Sequence, residues 1–93
     1  MTEWLMNVPV LSTLHIRQST YDYLNGPTDH GYCVADYGEG MFIYVPEHIE
    51  GRAEPSDLRA LFAWARRYKY EWVRLDSVGV DRDDLPTYPE SWS

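Results

Sequence analysis

Three histidines, one cysteine and one pair of adjacent carboxylates are the residues of this 93-residue sequence with the strongest claim to chemistry. His15 lies in the largely apolar run 8–16 and reads as a hydrogen-bonded structural histidine. His30 and Cys33 have His-x-x-Cys spacing, but zinc takes three or four ligands and no second pair stands nearby. His48 follows Glu47 in a polar loop and reads as solvated. Cys33 falls in a β-rich run, where a cysteine behaves as a small hydrophobe; being the sole cysteine, it forms no internal disulfide. Asp83-Asp84 is of the type that holds Mg²⁺ or moves protons, but its setting is that of a charged, flexible tail. There is no Gly-x-Ser-x-Gly elbow and no phosphate loop. Gly38-Glu39-Gly40 is too short for one, and its acid repels phosphate. The expectation is a non-enzymatic protein with no metal and no cofactor. A small metal-dependent enzyme is the third of three readings.

The acids point elsewhere. Fifteen acidic residues face eight basic ones, for a net charge of −7. Residues 1–51 carry seven acids against Arg17, a net of −6; residues 52–82 are at +2 and residues 83–93 at −3. Asp29, Asp36, Glu39, Glu47 and Glu50 follow one another with no base between them. This balance excludes a conventional nucleic-acid binder, which neutralises phosphates with Lys and Arg, and an anionic membrane surface. No apolar run of about 20 residues is present, and Met1-Thr2-Glu3-Trp4 lacks the character of a signal peptide. A cytoplasmic location is expected.

These side chains need elements to position them. The run 8–16 reads as a first strand, with Pro9 at its start. A helix over 17–24 follows, ended by Asn25-Gly26 and Pro27, although Ser12 or Thr13 also qualifies as the cap of a longer one. Runs 32–37 and 41–45 read as a hairpin about Gly38-Glu39-Gly40. Ser56 caps a helix whose Leu58, Leu61, Phe62 and Ala65 form a core-facing stripe. Run 70–75 reads as a last strand, with Val73 and Leu75 on one face and Tyr70, Trp72 and Arg74 on the other. The expected fold is α+β in the order β-α-β-β-α-β. It has a small antiparallel sheet with two helices on one face, and a ferredoxin-like split β-α-β as the first guess. Residues 1–93 form one domain, with 77–93 an irregular tail pinned by Leu85, Tyr88 and Trp92.

The open side of such a sheet would carry Phe42, Tyr44, Tyr70 and Trp72. Exposed aromatics on a sheet can stack RNA bases, but acidic surroundings oppose that use. Tyr and Trp also anchor protein interfaces. The partner expected is the positively charged protein surface of a nucleic-acid-binding complex. It would be met by the acidic patch Asp29, Asp36, Glu39, Glu47 and Glu50, with Tyr37 and Tyr44 as neighbouring aromatic contacts. Seven charges match about 12 Å of B-DNA, or roughly three to four base pairs.

The segments Leu11-Ser12-Thr13-Leu14-His15-Ile16, Phe42-Ile43-Tyr44-Val45-Pro46, Trp72-Val73-Arg74-Leu75-Asp76 and Leu85-Pro86-Thr87-Tyr88 resemble an uncharacterised family of short bacterial proteins carried on plasmids, integrative elements and phages. The resemblance spans about residues 10–88 and brings no catalytic motif. Its context implies an inhibitor of a host defence complex, foremost an anti-CRISPR protein blocking the DNA-recognition surface of a type I (Cascade) system. An anti-restriction protein, or an interaction module such as an antitoxin-like partner or a dimerising accessory protein, is the alternative.

Overall fold

Pro9 has no N–H to donate, and the short extended run after it forms the edge of a four-stranded sheet. The computed structural model describes residues 7–26, 31–47 and 54–92. Its elements are β1 (Val10–Ser12), α1 (Gln18–Asn25), β2 (Val34–Asp36), β3 (Gly40–Tyr44), α2 (Ser56–Arg67) and β4 (Trp72–Asp76). Short 3-10 turns at Thr13–His15 and Pro89–Ser91 complete the set. The fold is α+β, in the order β-α-β-β-α-β.

The sheet runs β1-β4-β3-β2. β2 with β3 and β3 with β4 are antiparallel, whereas β1 and β4 are parallel, so the sheet is mixed. In a split β-α-β unit one strand separates the parallel strands β1 and β2; here β4 and β3 both do. The first strand is also shorter than the run 8–16. The Ser12 hydroxyl accepts the Leu14 N–H at 3.1 Å and turns the chain out of the ladder. The free edge of β1 is met instead by the tail, where the Ser12 N–H bonds the Val80 carbonyl at 3.0 Å.

Alternation fixes the two faces. Leu11, Met41, Ile43, Val73 and Leu75 are buried on one side, with Leu24 of α1 and Leu58, Leu61, Phe62 and Ala65 of α2 in the same cluster. Burial of this set is the main driving force for the fold, at about 25 cal/mol per Å² of apolar surface. Pro55 rather than Ser56 stands at the N-cap of α2. Asp57 is buried and ties the two helices together: its Oδ2 accepts the Arg17 N–H at 2.7 Å, at the entry to α1.

His15 has the structural role its setting suggests. It is 1% exposed. Nε2 accepts the Arg82 N–H at 2.9 Å, so the ring proton sits on Nδ1 and is donated to the Pro86 carbonyl at 2.9 Å. The tail is held further by the Tyr88 N–H on the Leu14 carbonyl, the Trp92 indole on the Ile16 carbonyl, and buried Leu85. No helix among the described residues is long and apolar enough to cross a membrane.

Candidate interaction surface

The second face of the sheet carries the side chains that the core leaves over. Strand register places Phe42 opposite Arg74, Tyr44 opposite Trp72 and Gly40 opposite Asp76. Both helices pack on the first face, so no described helix covers this one. Tyr44 and Trp72 meet edge to face, with ring centroids 5.3 Å apart. Tyr37, just past β2, folds back over Gly40 to lie 5.6 Å from Phe42.

Arg74 links this row. Its guanidinium lies 5.1 Å from the Tyr37 ring centroid and 5.8 Å from that of Phe42. Its Nε donates to the Tyr37 hydroxyl at 2.9 Å, and Nη2 to Asp76 at 3.2 Å. The Tyr37 hydroxyl donates in turn to Asp76 Oδ2 at 2.5 Å. Asp76 also accepts the Val78 N–H at 2.9 Å. The Tyr37 hydroxyl, then the Val78 amide, hold the Asp76 carboxyl below the usual carboxylate range, with Arg74 adding to them. Burial, then the bond to Asp76, pushes the Tyr37 phenol up. Arg74, the one cation of this face among the described residues, is therefore neutralised from within, and the described face is aromatic rather than basic.

The three described acids of the sequence reading, Asp36, Glu39 and Glu47, stand at the two ends of β3. Asp36 and Glu39 share the hairpin end. Asp36 turns its carboxylate to the Gly38 N–H at 2.9 Å and the Tyr21 hydroxyl at 3.3 Å, on the helix side of the edge strand. Glu39 is exposed at the tip, and its carbonyl accepts the Ser77 N–H. Glu47 lies at the far end, beyond the five residues of β3, or about 17 Å of strand. There it lines a surface depression with Arg66, Lys69 and Glu71. Asp29 and Glu50, like His30 and His48, lie outside the described residues. Tyr37 and Tyr44 are both on the open face, 37% and 36% exposed.

Of the four aromatics expected on that face, Phe42, Tyr44 and Trp72 are there and Tyr70 is not. Tyr70 stacks on Trp64 at 5.6 Å on the helix side. Lys69 takes φ 63°, and the Tyr70 N–H closes back onto the Ala65 carbonyl, so β4 starts two residues later than the run 70–75. Arg74 was visible only as an alternation partner of Trp72, and Asp76 lay just beyond the expected strand, although β4 in fact ends with it.

A second cluster was missed. Asp84 accepts the Trp64 indole N–H and the Tyr68 hydroxyl, each at 2.9 Å, and Arg82 Nε at 3.4 Å. The indole bond, with Tyr68 and Arg82 behind it, lowers its carboxyl to about 2. Asp84 is thus a tether of the tail and not half of a loose carboxylate pair. Cys33 is exposed rather than buried. Among the described residues no three His, Cys, Asp or Glu side chains are placed to hold a metal ion.

Residues 8–90 match the model of a family of unknown function (DUF5983), C-terminal domain, and the chain belongs to that family. No curated protein and no solved structure matches it.

Proposed function

We propose that this member of the DUF5983 family is a non-enzymatic interaction protein whose partner is a positively charged protein surface. The observation that carries the reading is the aromatic face of Tyr37, Phe42, Tyr44 and Trp72, with Glu39 exposed at the hairpin tip, on a chain of net charge −7. Aromatic rings supply contact area that tolerates desolvation, and surrounding acids select a basic partner and speed encounter. Nucleic acid itself is disfavoured by the same charge. In its specific form the reading is an inhibitor carried by a mobile element, which occupies the DNA-recognition surface of a host defence complex, a type I Cascade foremost.

The acids standing at both ends of β3 support a footprint along the strand, of the length of a few base pairs, more than a single compact patch. A second reading, an antitoxin-like or dimerising module, is favoured by the Tyr44–Trp72 pair alone and would use the aromatic face without the acids. Salt separates the two. Binding led by charge weakens steeply from about 0.1 to 1 M salt, as the screening length falls from ~10 to ~3 Å; an aromatic interface holds.

The test is capture of the partner from a host carrying CRISPR and restriction systems, using the wild type and the Glu39→Lys, Glu47→Lys, Glu50→Lys triple variant. The proposal expects a DNA-binding complex to be captured by the wild type, to lose DNA binding on capture, and to be ignored by the variant. Undiminished capture by the variant sinks it.

A further inference from the structure

Just before α2, the chain buries a carboxylate with one oxygen left unsatisfied among the described residues. Glu54 is 7% exposed and its side chain is closed to solvent. Oε2 receives one long hydrogen bond, from the Tyr32 hydroxyl at 3.4 Å. Oε1 has no hydrogen-bond donor among the described residues. Among the described residues the nearest cation is Arg59, one turn into α2, with Nε at 3.9 Å, beyond hydrogen-bond range, and a side chain 63% exposed. The positive end of α2 lowers the cost of the charge, but supplies Oε1 with no donor. A buried carboxylate short of donors is expensive to keep, and such a group calls for a partner.

Glu54 also lines a cleft of about 460 Å³ with Tyr23, Tyr32 and Pro55. That volume is in the range of small-ligand sites. Tyr32 is held in place by Phe62, 5.9 Å away, and Tyr23 stands 41% exposed on α1. Two phenol rings and a proline ring beside one carboxylate suit a cation with a flat, weakly hydrated head. Aromatic faces attract the charge, and the carboxylate accepts its N–H groups. A guanidinium fits this better than a compact, strongly hydrated ammonium.

We propose that the Glu54 cleft binds a guanidinium group, which gives Oε1 the hydrogen bond that Arg59 does not reach. Entry requires the exposed side chains of Tyr23 or Arg59 to swing aside. The site lies on the helix side of the sheet, and its ligand binding is read on the isolated protein. Failure of partner capture therefore leaves it standing, and its own failure leaves the interaction face standing.

The test is a titration of the whole isotope-labelled chain by NMR with agmatine and, in a second arm, with a short peptide carrying one arginine. Neutral butylurea serves as control. Expected are saturable shifts at Tyr23, Tyr32 and Glu54, at least tenfold weaker binding in Glu54→Gln, and several-fold weaker binding in Tyr23→Ala. Saturation by agmatine alone assigns a free guanidino compound; saturation by the peptide assigns an arginine side chain. Equal shifts with butylurea, no saturable shifts in the wild type, or unchanged affinity in a folded Glu54→Gln protein overturns the proposal. Should Glu54→Gln not fold, the butylurea comparison and Tyr23→Ala decide it.

Discussion

A methyl group added at Gly40 would stand 1.9 Å from the Leu75 carbonyl oxygen and 2.8 Å from the Tyr37 hydroxyl. The glycine is thus what lets Tyr37 cross over the sheet to Asp76. Gly40→Ala is expected to cost about 3 kcal/mol or more by overpacking, measured by denaturant unfolding, and to dislodge Tyr37 from Arg74. Asp84 makes a prediction in pH. Its folded carboxyl lies at about 2 against an ordinary 3.8, because the Trp64 indole and its neighbours favour the charged form. A depressed carboxyl supports the fold fully above its ordinary value and loses that support as pH falls toward 2. Asp76 acts in the same direction. Thermal melts between pH 5 and pH 2 should show a smaller acid-induced drop in Tm for Asp84→Asn than for the wild type; equal drops would remove Asp84 from the account. At this scale His15 was legible from its apolar setting. Asp84 was not, because its partners Trp64 and Tyr68 lie up to 20 residues away and no local pattern links them to the tail.

Among the elements, α2 was the most legible: its stripe Leu58, Leu61, Phe62, Ala65 is local, and so is the period that reveals it. Its C-terminus was less so. Lys69 occupies the left-handed position, φ 63°, that glycine fills at many helix ends. Lys69→Gly is expected to stabilise the protein by up to about 1 kcal/mol, read as a higher denaturant midpoint at an unchanged slope. This bend also explains why Tyr70 left the strand pattern. Alternation alone cannot tell a strand residue from one whose N–H closes the preceding helix. Strand neighbours were beyond the sequence for a related reason. β1 and β4 both alternate, so the choice between a central and an edge place for β1 rests on long-range contacts, among them Val80 along its outer edge. The hairpin was legible because Gly38, at φ 94°, and the Asp36 bond to its N–H mark the turn locally.

At the scale of the whole molecule, the proposed partner rests on the net charge of −7 and on the side chains that the core leaves over. The sequence places five acids in a base-free segment; in the fold, Asp36 and Glu39 stand at one end of β3 and Glu47 at the other, beside Arg66 and Lys69. Phe42, Tyr44 and Trp72 of the aromatic row between those ends were legible from strand alternation, whereas the packing of Tyr37 on Phe42 shows only in the fold. Together they outline an elongated, aromatic-centred surface with Glu39 toward one end and Glu47 toward the other, and a basic protein groove is the partner proposed for it. The most direct test is the affinity of the captured complex for this protein at low and high salt, for the wild type and the Glu39→Lys, Glu47→Lys, Glu50→Lys variant. The account predicts tight binding at low salt, a steep loss at high salt, and a loss of at least tenfold in the variant at low salt. Salt-independent binding that the variant retains in full would contradict it.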